Sequence, residues 1–118
     1  MAGEYGEINS RVAYHRILGE AMDLVQGILT RRPDDDMMQL IYEELDAMRR
    51  WSADGREPSD DERGSINVGL VAARELSGAT GDEGKLVPKL LALNHYFEDW
   101  PTDQEAATAT DDGLLDAK

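Results

Sequence analysis

The residues best placed to do chemistry are five carboxylates: Glu20 with Asp23, then Glu43 and Glu44 with Asp46. At helical spacings such groups can hold Mg²⁺ through oxygen ligands and present it to a substrate's phosphates, as helical nucleotide pyrophosphohydrolases do. That chemistry requires the carboxylates to converge between helices. Asp23 instead falls nearly opposite the centre of its helix's apolar stripe, and Glu20 lies beyond the flank. On the next helix Glu43 is opposite the stripe, Asp46 is well outside it, and only Glu44 lies near its edge. The spacing therefore reads first as a solvated face, with the Mg²⁺ enzyme kept as an alternative.

Other catalytic signatures are missing. His15 and His95 are the only histidines and lack a ligand spacing such as HxxxH, so each reads as structural or surface. The absence of cysteine removes thiolate nucleophiles, thiolate metal sites and disulfides. No nucleophile elbow, phosphate-binding glycine loop or dinucleotide fingerprint occurs. The expectation is a chain with no catalytic residue, no metal and no cofactor.

Binding is the better prospect. Arg49, Arg50 and Trp51 combine residue types that carry interface energy, although a tryptophan closing a helix bundle and arginines at a helix C-terminus have purely structural uses. Asp34, Asp35 and Asp36, with Asp54 and Glu57 in the loop that follows, would serve as helix caps and solvated turns, or as an acidic rim that docks a basic cleft. Tyr96 and Trp100 read first as core cover.

The elements that would position these residues are helices. Asn9 or Ser10 can cap a first helix reaching about Arg31, with Tyr14, Ile17, Leu18, Ala21, Leu24, Val25 and Ile28 on one face. Pro33 stops it. A second helix carries Met38, Ile41, Leu45 and Met48 to about Trp51, and Gly55 and Pro58 mark a turn. Ser59 and Glu62 have capping-box spacing ahead of Ser65–Leu76, whose apolar and small residues cover nearly the whole circumference and predict a buried central helix. Gly69 in that helix suggests close approach of a neighbour. The last helix carries Leu86, Leu90, Leu93 and Phe97; a start near Gly84 or Lys85 would leave Pro88 in or just after the first turn. The expected architecture is all-α: a compact bundle of about four antiparallel helices over residues 1–100, followed by an acidic, flexible tail over 101–118 with Leu114 and Leu115 as a docking point.

Charge narrows the partners. The 118 residues carry 25 acidic and 12 basic side chains, a formal charge of -13, which repels nucleic acid and anionic membranes. No run approaches the roughly 20 apolar residues of a membrane span, and MAGEYGEINS lacks the pattern of a secretory signal, so a cytoplasmic protein is expected.

The pattern Ile66-x-Val68-Gly69-x-x-Ala72-x-x-Glu75-Leu76 resembles the corresponding helix of small helical immunity proteins that protect bacteria from NAD(P) glycohydrolase effectors of type VI secretion. The similarity extends back through Leu45, Met48 and Arg49 and forward through Leu90 and Phe97, covering about Tyr14 to Phe97. Pro88 departs from the pattern and leaves the last helix's register unsettled; the acidic tail lies outside it. The resemblance implies an antidote that binds a cognate toxin and blocks its NAD-binding site. A helical adaptor for some other basic protein surface stays open as a third reading, as does a homodimer formed through residual apolar surface.

Overall fold

Ser10 ends an extended approach and starts the first helix, its side chain accepting the Ala13 amide; α1 then spans Arg11–Arg31. The computed structural model describes residues 5–110, with side chains through residue 108. Asp35 repeats the device by accepting the Met38 amide at the head of α2, Asp36–Trp51. A short 3₁₀ turn at Ala53–Gly55 reverses the chain, with Asp54 (φ 56°) and Gly55 (φ 80°) in the left-handed region. Then come α3 (Asp60–Gly64), α4 (Val68–Glu75), α5 (Gly81–Asp99) and α6 (Asp103–Thr110), with no β-strand among the described residues.

The apolar stripes determine the packing. Ile17, Leu18, Ala21, Val25 and Ile28 of α1, Met38, Ile41, Leu45 and Met48 of α2, and Leu86, Leu90, Leu93 and Phe97 of α5 are all buried. Burial of each large side chain stabilises the fold by roughly 1.5–3 kcal/mol before entropy is counted. Cross-links define direction. Tyr14 meets Ser52 while Gln26 meets Tyr42, so α1 and α2 run antiparallel. Arg11 meets Tyr96, Glu20 meets Lys89 and Arg31 meets Asp82, so α1 and α5 do too. α4 packs on α5 and touches α2, closing a ring of helices.

Four expectations need correction. The stretch read as one central helix is shorter and peripheral: Val68, Gly69 and Ala72 are buried, but Leu70 is 54% exposed and Ala73 faces solvent. The centre lies between α1 and α5. The Ser59–Glu62 box is fully formed, yet it caps the separate α3, and Ser65 to Asn67 divide α3 from α4. Ser65 turns its hydroxyl onto the Glu62 carbonyl and the Asn67 amide donates to Glu44, so local side chains compete with helical bonding there.

The last bundle helix begins at Gly81, three residues early, which places Pro88 in its interior. Asp82 and Glu83 hold that early start by pairing with Arg31 at 3.2 Å and Arg32 at 3.1 Å, and their charge suits a helix N-terminus. Finally, the tail does not begin at Pro101. A reciprocal Thr102–Glu105 cap starts α6, Asp103 accepts the Arg11 amide at 2.7 Å, and Ala106 is fully buried. Residues 111–118, including Leu114 and Leu115, lie outside the described residues.

Candidate partner-binding surface

The expected binding residues fall into two groups at opposite ends of α2. Asp34, Asp35 and Asp36 stand at its start; Arg49, Arg50 and Trp51, then Asp54 and Glu57, stand at and beyond its end. Sixteen residues at about 1.5 Å each separate the groups by roughly 24 Å, so they do not form one patch. Within the first group Asp35 is committed to the Met38 amide and to Arg32 at 3.5 Å, while Asp34 and Asp36 are exposed. In the second, Arg49 and Arg50 both donate to Asp46, at 2.5 and 3.1 Å, and hold its carboxyl below the usual aspartate range, the Arg49 hydrogen bond contributing most. Trp51 is half-buried and stacks over Phe97 at 6.4 Å. Asp54 and Glu57 are exposed.

The carboxylates that spacing alone could assign to a cation are dispersed among other tasks. Glu20 accepts from Lys89 at 3.0 Å and Arg16 at 3.3 Å, and the Lys89 hydrogen bond is the main reason its carboxyl is held below the ordinary value. Glu44 accepts the Asn67 amide at 2.7 Å, and Asp23 and Glu43 are exposed. Among the described residues no three of His, Asp or Glu gather where they could hold a metal ion. His95 lies 3.4 Å from Asp99 and edge-on to Tyr5; His15 packs edge-on to Tyr14, with burial and then the Arg11 charge lowering its pKa.

One end of the molecule is an aromatic cap. Tyr14 and Tyr96 stack at 5.1 Å, Trp100 stands edge-on to Tyr14 at 5.3 Å, and the Arg11 guanidinium lies 3.8 Å from the Trp100 ring centroid while donating to the Tyr96 hydroxyl. Tyr14 Oη meets Ser52 Oγ at 3.1 Å, and burial pushes the Tyr14 phenol well above its ordinary pKa. This arrangement fits the core-cover reading of Tyr96 and Trp100. Arg11 was not singled out by sequence, because its contacts come from the far end of the chain.

A surface not anticipated lies between α4 and α5. An open groove of about 690 Å³ is lined by Ile66, Leu70, Leu91, Asn94 and Glu98 among others. Its floor is made by close approach: the Gly69 amide donates to Asn94 Oδ1 at 2.7 Å, and a β-carbon on Gly69 would sit 2.9 Å from Asn94 Cβ. Leu70 and Leu91 are 54% and 43% exposed at its sides. Leu91 had a sequence signal, since it sits next to Leu90 but off the stripe of Leu86, Leu90, Leu93 and Phe97.

The geometry is thus one of surfaces, with carboxylates spread outward and apolar side chains at a groove. No curated protein and no solved structure matches the chain. The sequence pattern of one family, Tsi6, matches residues 13–108, from the first turn of α1 into α6. This span covers most of the 118 residues and every helix of the ring, so the chain belongs to the Tsi6 family of type VI secretion immunity proteins.

Proposed function

We propose that this chain protects its cell by binding a cognate toxin that acts on NAD, an NAD(P) glycohydrolase or a related effector, and by covering the toxin's active site. Family membership carries the binding role. The formal charge of -13 supports the choice of target, because a site that attracts an anionic dinucleotide is electropositive and associates quickly with an acidic inhibitor. In this reading the chain performs no reaction. It acts in the cytoplasm, and the toxin-binding unit is the helical body, with the acidic C-terminus beyond it.

The N-terminal end of α2 belongs to the proposed contact through Asp34 and Asp36, which have no capping duty. Reversing both charges while keeping Asp35 slows association at low salt and leaves melting unchanged; equal association rates would remove that end from the interface. The whole reading is tested by identifying an NAD-acting effector domain encoded by a neighbouring gene and co-expressing the chain with it. Recovery of growth and cellular NAD, with the two proteins copurifying, is the expected result. Unrelieved toxicity with no copurification contradicts it.

A further inference from the structure

The groove between α4 and α5 has three properties that an ordinary helix seam lacks. Its apolar side chains are presented outward: Leu70 and Leu91, both partly exposed, line the same concavity together with the buried Ile66. Its floor holds a carboxamide that is only half used. Asn94 is 9% exposed and spends Oδ1 on the Gly69 amide, while its Nδ2 makes no hydrogen bond among the described residues. That Nδ2 is not among the buried unpaired atoms and so opens to the groove, where it stabilises a complex when a partner supplies the acceptor and costs free energy when it is covered without one.

Its permanent charges are acidic. Glu98 lines the groove together with the imidazole of His95, which lies 3.4 Å from Asp99; Glu44 stands at the Asn67 end by accepting that amide, and no Lys or Arg among the described residues lines it.

From these features we infer that the α4–α5 groove is the anchor site for the toxin, receiving an apolar side chain between Leu70 and Leu91, a backbone carbonyl at Asn94 Nδ2 and a basic residue beside Glu98. The inference rests on the antidote reading and adds the place and chemistry of the contact. A buried apolar centre bordered by charge is where interface energy concentrates, while the acidic rim governs the rate of encounter. Gly69 fits the scheme, because a larger residue there would push α4 from α5 and change the width of the groove.

The test is calorimetric titration of the full chain with the purified effector domain that the co-expression experiment identifies. Leu70→Asp and Leu91→Asp are each expected to weaken binding by about a hundredfold or more, given that centrally placed anchors dominate such interfaces. Val12→Asp, at a residue 78% exposed on α1, serves as the control and leaves Kd within about twofold. Glu98→Lys slows association about tenfold at low salt and has less effect at high salt. Should an aspartate variant melt early, Leu70→Ala replaces it, with a loss of about tenfold expected.

Wild-type affinity in both leucine variants overturns the groove assignment and leaves the antidote reading standing. A wild-type chain that does not bind the toxin overturns both. A chain that sediments as a dimer, and as a monomer once Leu70 is replaced, with toxin affinity unchanged, gives the groove to a second copy and likewise overturns the assignment.

Discussion

The two faces of α5 are built differently. On its core side it buries Leu86, Leu90, Leu93 and Phe97, and it is fastened to α1 by Lys89–Glu20, Asp82–Arg31 and Tyr96–Arg11. Toward α4 it offers Asn94 to a glycine and leaves Leu91 half in water. The first face is closed, with long side chains interdigitated and ion pairs outside. The second is close-packed only along a narrow line and open beside it. A protein whose task is to bind needs both, because a rigid seam holds an exposed apolar surface in one shape and lowers the ordering cost of binding.

Substitutions at the two faces should separate stability from recognition. The largest effect is expected from Phe97→Ala, which empties a fully buried site beneath Trp51 and Trp100 and should cost about 3–5 kcal/mol in chemical denaturation. A loss below about 1 kcal/mol would mean that the core face of α5 does not dominate stability. Next comes Gly69→Leu, where even the first added carbon falls 2.9 Å from Asn94 Cβ; overpacking of this kind costs about 1–3 kcal/mol and is read as a lower melting temperature. An unchanged melting temperature would show that α4 can move away from α5 at no cost.

Ser59→Ala removes half of the α3 capping box and should cost about 1 kcal/mol, with the loss confined to amide-exchange protection in α3 if that helix opens locally. The smallest effect concerns Glu62, whose carboxyl is held below its ordinary value of 4.5, chiefly by the Arg56 hydrogen bond and then by the Ser59 amide. A depressed carboxyl stabilises the fold above the ordinary value and loses that contribution as pH falls through its own, lower pKa. The stability difference between wild type and Glu62→Gln should therefore be full near neutrality and fade in acid. A difference that is constant with pH would rule out an electrostatic origin.

How much of this was legible in the sequence depends on how local the deciding interactions are. The stripes of α1, α2 and α5 were readable because helical periodicity and burial are the same fact seen twice. The caps were readable in part, since each bond spans only a few residues: Ser10 was one of two candidates, Asp35 one of three, and the Ser59 box was evident but belongs to a different helix from the one expected. What misled was composition without partners. Ser65–Leu76 is apolar enough to be central, yet whether Leu70 is covered depends on what α5 places beside it.

The same holds for the chain after Pro101. Its alanines and acids show no strong period, and α6 is held by a cap, the Arg11 amide and one buried alanine. For the candidate site, Asp34 and Trp51 stood out by residue type, and because they mark the two ends of one expected helix, their separation of roughly 24 Å was legible as well. Asn94 had no signal of its own; its partner is 25 residues away.

An antidote of the kind proposed inhibits by occupying its toxin, one molecule to one. The decisive measurement is a titration of the purified chain into the NAD-hydrolysing reaction of the effector proposed as its partner. A linear fall in activity that reaches zero at one equivalent is expected. Activity that persists at a large molar excess of the chain would contradict it.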